Sequence, residues 1–206
     1  MVAEPAEALA AGEFGGWLRE VVAAIAGDGE TDVACGTCVG CCSSSQFVLI
    51  APDELAALAH IPKALLFPAP RMPPGHVLMG YDEHGRCPML RDAGCSIYEH
   101  RPRTCRTYDC RVFPAAGVLP DDDPSKAPIT ATAARWEFTY ESDESLQLHR
   151  AVEAAAAFVR ANAAELEVRT RTQVAVAAIR THHLFASGQP TVDAVAVELS
   201  PRPAPR

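Results

Sequence analysis

Eight cysteines lie between positions 35 and 110, with none before or after them. This clustering constrains the fold more than any other feature of the chain. Roughly one residue in ten of that segment is cysteine, the density of a cross-linked or metal-bound module. The spacing separates the two. Cys35, Cys38 and Cys41 follow C-x-x-C-x-x-C, and Cys42 follows directly. Such steps are too short for ordinary structural disulfides, and a bridge between neighbours 41 and 42 would be strained. They suit two thiolates converging on one ion, because a turn of that length points both sulfurs inward. The first residues carry Glu4 and Glu7 and no basic stretch. The expectation is therefore a cytoplasmic protein with reduced thiols.

The pattern leaves the metal open. Three thiolates at C-x-x-C-x-x-C open the bacterial ferredoxin run, which closes on a Cys-Pro pair; Cys87-Pro88 is such a pair. Eight thiolates also suffice for two zinc sites of four cysteines each. An iron–sulfur cluster stands slightly ahead of zinc or iron ions. The second half of the cluster is basic: Arg86, Arg91, Arg101, Arg103, Arg106 and Arg111 face only Asp92, Glu99 and Asp109. Cations of this kind offset the charge of a metal–thiolate centre. Arg101 and Arg106 flank Pro102 and Cys105, and they are expected to support the cofactor. His84 and His100 lie beside the cluster, where an ordinary surface role is expected ahead of one as alternative ligands.

These residues resemble a known family, the YkgJ-type cysteine-cluster proteins, described as zinc- or iron-chelating. The resemblance runs from Cys35-x-x-Cys38-x-x-Cys41-Cys42 through Gly85-x-Cys87-Pro88-x-Leu90. It continues in Gly94-Cys95-x-Ile97-Tyr98-Glu99-x-Arg101-Pro102-x-x-Cys105-Arg106 and ends at Cys110. The first cysteine step is one residue shorter than in many relatives. The resemblance implies metal chelation through Cys35, Cys38, Cys41, Cys42, Cys87, Cys95, Cys105 and Cys110. It implies no settled reaction, although related clusters occur in flagellin lysine methylases, where an iron–sulfur cluster is expected.

Hydrophobic residues make up 49% of the chain and charged residues 21%, a globular balance. The net charge of −8 argues against a nucleic-acid or anionic-membrane partner. The expected partner is a metal ion or cluster. Helical periodicity predicts helices over 5–26, 143–164 and 166–186, with Leu146, Val152, Ala155, Phe158 and Val159 on one face of the second. The glycines near 27 stop the first. Short strands are expected near 47–50 and 135–140. Another near 76–79 is expected to pair with 86–90 as a hairpin. A short helix should follow Pro52, and another should start at Pro102.

The predicted class is α+β. An α-rich small metalloprotein would have an irregular cysteine-lined module packed against flanking helices. Its parts would be an N-terminal helix (1–29), the cysteine module (30–113), an exposed Pro/Asp-rich linker (114–130) and a C-terminal helical region (131–206) with a frayed tail. Tyr98 and Tyr108 are expected to pack over the metal region, and the acids at 121–123 to be solvated. No G-x-G-x-x-G, Walker loop, G-x-S-x-G or H-E-x-x-H is present. The favoured function is metal binding; the alternative is an iron–sulfur-dependent redox or protein-modifying, methylase-like enzyme.

Overall fold

The structure is a computed structural model. It describes residues 7–29, 31, 33, 38–92, 94–120, 123–186 and 188–200. Cys35, Asp121, Asp122 and the tail from 201 lie outside the described residues. The architecture is α+β, with eight helices and small sheets among the described residues. In chain order the elements are β1 (Leu9–Glu13), α1 (Phe14–Ala26), β2 (Val48–Ile50), α2 (Leu55–His60), β3 (Leu66–Pro68), β4 (Val77–Met79), β5 (Leu90–Arg91) and β6 (Gly94–Cys95). Then follow α3 (Arg103–Arg106), α4 (Val112–Ala115), α5 (Ala127–Ala133), β7 (Trp136–Thr139), α6 (Asp143–Ala161), α7 (Arg171–Ala186) and α8 (Val192–Leu199). No described helix is long and apolar enough to cross a membrane.

Two compact units emerge. The first combines residues 1–28, 110–121 and 133–206. Its core is helical. On α1, Phe14, Trp17, Leu18 and Val21 are buried at i, i+3, i+4 and i+7, one face of a helix. Val152, Ala155, Ala156 and Val159 of α6 and Val174, Ala175, Ala178 and Ile179 of α7 fill the rest. Alanines on both helices let the backbones approach closely. The helix expected over 5–26 begins only at Phe14. Residues 9–13 instead pair in parallel with β7, and the ladder irregularity between Ala10 and Gly12 coincides with Gly12 at φ 95°. Gly27 ends α1 as expected, in the left-handed conformation at φ 89°.

Glu13 caps α1 and ties it to α6. Its carboxylate accepts the Gly16 N–H at 2.6 Å and the Ser145 hydroxyl, while Ser145 Oγ accepts the Gly15 N–H at 3.1 Å. The Ser145 hydrogen bond first, then the Gly16 and Gly15 amides, hold the Glu13 carboxyl down at about 2. Helix α8 was not anticipated from the periodicity. Thr191 caps its start, and the Arg180 guanidinium of α7 binds its last carbonyls, Glu198 O at 2.5 Å and Leu199 O at 3.2 Å.

The second unit combines residues 29–109 and 122–132. Strand β4 lies between β2 and β3, antiparallel to both. Pro68 sits on an edge strand, where its missing N–H costs nothing. The hairpin expected between 76–79 and 86–90 does not form. Cys87 spends its N–H elsewhere and Pro88 has none, so 86–90 cannot ladder onto β4. Leu90 pairs with Cys95 instead, in the β5–β6 hairpin. Val48, Ile50, Ala57, Ile61, Met79, Met89 and Ile97 form this unit's core. The stretch expected as an exposed linker buries Ala115, Ala116, Val118 and Ile129, and 127–133 is helical.

Two outcomes test this account. Ile179→Ala removes a fully buried side chain and is expected to cost about 2–5 kcal/mol in urea unfolding, with the slope unchanged. Glu13→Gln removes a carboxylate favoured in the folded state. That stabilisation is present above the ordinary pKa near 4.5 and lost as pH falls through about 2. The variant should melt below wild type at pH 7, and the two melting temperatures should converge toward pH 2.

Candidate metal centre

A 3-10 turn over Cys41–Ser43 sets the first cysteine loop. Ser44 is wholly buried and accounts for the loop's internal bonding: its hydroxyl donates to Gly40 O at 2.6 Å and accepts the Ile129 N–H at 3.2 Å. Lys126 Nζ donates to the carbonyls of Ser44 and Ser45 at 2.8 and 2.9 Å. The second loop is shaped by Asp82, whose carboxylate accepts the N–H groups of His84 and Arg86 at 2.9 and 2.8 Å. Gly85, at φ 74°, follows from that turn, and Ser45 Oγ occupies the space where a Cβ would stand.

Two backbone hydrogen bonds strap these loops together. Cys87 N–H donates to Cys42 O at 2.7 Å, and Ser45 N–H donates to Gly85 O at 2.8 Å. The straps set Cys87 beside Cys42 and its neighbour Cys41. This contact lowers the pKa of Cys41 and Cys87 and raises that of Cys42, whose proton stabilises its neighbours' thiolates.

Cys95 and Cys105 arrive on separate supports. Cys95 is on β6, where Ser96 N and Oγ both bond Met89 O at 2.9 Å. Cys105 is on α3, which starts after the buried Pro102. Thr104 Oγ1 fixes α3 to β2 by donating to Leu49 O at 2.6 Å. The Arg103 N–H binds the Glu54 carboxylate, and its guanidinium binds Asp53 at 2.8 Å. Cys87, Cys95 and Cys105 all pack against the apolar core. Burial, and then the charges of Cys41, Cys87 and Cys95, push the Cys105 thiol up to about 12. Burial likewise raises Cys95. Five of the expected ligands, Cys41, Cys42, Cys87, Cys95 and Cys105, thus belong to the second unit, three of them on one apolar core.

Cys38 is in the same unit but has its own surroundings. Its Sγ accepts the Gly40 N–H at 3.3 Å and lies 3.4 Å from Thr132 Oγ1. Cys110 falls in the other unit, buried, with its sulfur accepting the Trp136 indole N–H at 3.1 Å. All seven described cysteines are free thiols. Among the described residues, no group of three or more His, Cys, Asp or Glu side chains is placed so that it could hold a metal ion.

The donors and the nearby cation fit an anionic thiolate centre. Arg101 stacks 3.6 Å from the Tyr98 ring centroid, its Nε is buried without a hydrogen-bond partner, and its charge opposes the rise at Cys95 and Cys105. Arg106 ends α3, and its carbonyl accepts the Thr31 hydroxyl at 3.3 Å. Tyr98 therefore lies against Arg101, and its side chain is exposed. His84 faces Glu83 at 3.5 Å in solvent, and His100 stacks on His60 at 3.8 Å. Asp123 caps Ser125 N at 2.9 Å. Sequence reasoning missed Ser44, Lys126 and Thr132. Ser and Thr carry no motif, and all three act across long sequence separations.

Comparison with known families bears directly on this arrangement. Residues 34–121 match the CxxCxxCC family. The family is described as a "putative zinc- or iron-chelating domain". The CxxCxxCC match contains both strapped loops, the β5–β6 hairpin and α3. No curated protein and no solved structure matches the chain.

Labelling should follow the geometry. In reduced, metal-free protein, iodoacetamide should modify the exposed Cys41 early and the buried Cys110 last. Zn²⁺ should slow the labelling of Cys41, Cys42 and Cys87 together, as read by peptide mass spectrometry. Protection of one of the three without the others would contradict the shared sulfur set.

Proposed function

We propose that this protein binds an iron–sulfur cluster, held by Cys41, Cys42 and Cys87 with further thiolates from Cys38, Cys95 and Cys105. The observation that carries the reading is the pair of backbone hydrogen bonds, Cys87 N–H to Cys42 O and Ser45 N–H to Gly85 O, that joins Cys41, Cys42 and Cys87 of two distant loops into one set. Cys87 is the cysteine of the Cys-Pro pair, and it stands inside that set. One tetrahedral zinc takes four thiolates, whereas the second unit gathers six among its described residues. The surplus favours a centre with more than one metal. Arg101 supplies positive charge beside it, and Arg106 is assigned the same supporting role from α3. Cys35 and Cys110 remain with the eight-cysteine set implied by the family resemblance.

The chain's own contribution is to hold and orient. The straps converge the thiolates, and the apolar core behind Cys87, Cys95 and Cys105 limits water on that side. A bound cluster would supply one-electron redox chemistry. Free thiols in this number suit a reducing compartment, which supports a cytoplasmic location.

Anaerobic purification tests the reading. The expected product is brown, contains iron and sulfide, absorbs broadly near ~400 nm and bleaches with dithionite. Cys42→Ala and Cys87→Ala should each lose most of that absorbance, because the site loses a convergent thiolate. A colourless protein carrying zinc and no iron overturns the cluster while keeping metal binding. A protein free of both metals overturns the whole reading.

A further inference from the structure

Helix α5 contains no cysteine and lies beyond the matched segment, yet it is built into the cysteine loop. Lys126 holds two loop carbonyls, and the Ile129 N–H binds the buried Ser44 hydroxyl at 3.2 Å. Gly40 permits a closer approach still. A Cβ on Gly40 would stand 3.1 Å from Thr132 Oγ1 and 3.2 Å from Pro128 O. Its φ of −53° suits any residue, so the glycine is required for space. That approach sets Cys38 Sγ between the Gly40 N–H at 3.3 Å and Thr132 Oγ1 at 3.4 Å.

We propose that Thr132 is a positioning residue that orients Cys38 as a metal ligand, an assignment that rests on the metal-binding reading above. Thr132 Oγ1 also lies 3.2 Å from Pro128 O, to which it donates within α5. In the thiol state the hydroxyl gives its proton to Pro128 O and accepts from the Cys38 S–H. As a metal-bound thiolate, Cys38 would be the stronger acceptor. The hydroxyl then turns to the sulfur, which receives two donors, Gly40 N–H and Thr132 O–H. Hydrogen bonds of this kind orient a ligand and stabilise its charge, and their loss commonly weakens metal binding 10- to 100-fold. Lys126 and Ser44 keep α5 at the distance this requires.

The test uses the full chain and Zn²⁺ as the thiolate probe, with affinity measured by competition against a chromophoric chelator. Thr132→Val keeps the volume and removes the hydroxyl; it should weaken Zn²⁺ binding about tenfold or more. Thr132→Ser restores the hydroxyl and should bind within about twofold of wild type. Thr130→Val is the matched control. Thr130 Oγ1 donates to Lys126 O at 3.0 Å, so its loss removes an equivalent bond inside α5; Zn²⁺ binding should stay within about twofold. In metal-free protein, Cys38 should react faster with iodoacetamide in Thr132→Val and unchanged in Thr130→Val. Circular dichroism confirms folding, and Thr132→Ala replaces Thr132→Val should that variant not fold. A Thr132→Val protein that binds Zn²⁺ as tightly as wild type overturns the inference alone. Equal weakening by Thr130→Val overturns it in favour of general helix stability. A wild type that takes up no metal overturns the underlying reading, and the inference with it.

Discussion

The hydrogen bond from Cys87 N–H to Cys42 O joins segments far apart in sequence, and the cysteine region depends on it. Its companion from Ser45 N–H to Gly85 O closes the pair into a strap. Both use backbone groups, so the thiols remain available for other chemistry. A buried backbone bond left unmade costs more than its net contribution when made, which is why the loops hold this register. Gly85 and Ser45 both adopt positive φ, and these turns aim the amides at the opposite loop.

The surroundings divide the work around that strap. The apolar side is supplied by β2, β4 and the residues around Met89 and Ile97. The polar side is supplied from late in the unit's sequence, where Lys126 and Ile129 satisfy the loop's carbonyls and Ser44. The cysteines therefore stand between a dry face and a hydrogen-bonded face. Their acidities differ accordingly: burial raises Cys95 and Cys105, whereas the neighbouring Cys42 thiol lowers Cys41 and Cys87. In the other unit, the Glu13–Ser145 bond plays the corresponding organising part, joining α1 to α6.

Much of this was legible in the residues, for local reasons. Helical spacing located α6 and α7, Gly27 ended α1, Pro102 opened α3, a short apolar run marked β2, and strands were expected where β4 and β7 stand. Each signal is carried by a few neighbouring side chains. The failures were non-local. Residues 9–13 carry helix-compatible side chains, but β7 offered a ladder. Residues 86–90 looked able to form a hairpin, but Cys87 had given its N–H to Cys42. Helix α8 is short, and its end is held by Arg180 of another helix.

Composition and spacing by themselves grouped the cysteines as candidate thiolate donors, because C-x-x-C steps and the Cys-Pro pair restrict where sulfurs can point. They also determined the α+β class, since helical and strand periodicities are local properties. Only the tertiary structure decided which thiols face the core and which stand apart. Cys110 meets Trp136 and Cys38 meets Thr132, although both belong to the same motif as Cys42. It alone brought Ser44, Lys126 and Thr132 to the site. The physical reason is that a hydrogen bond depends on distance and direction in space, and two residues eighty positions apart carry no trace of that geometry in their order along the chain.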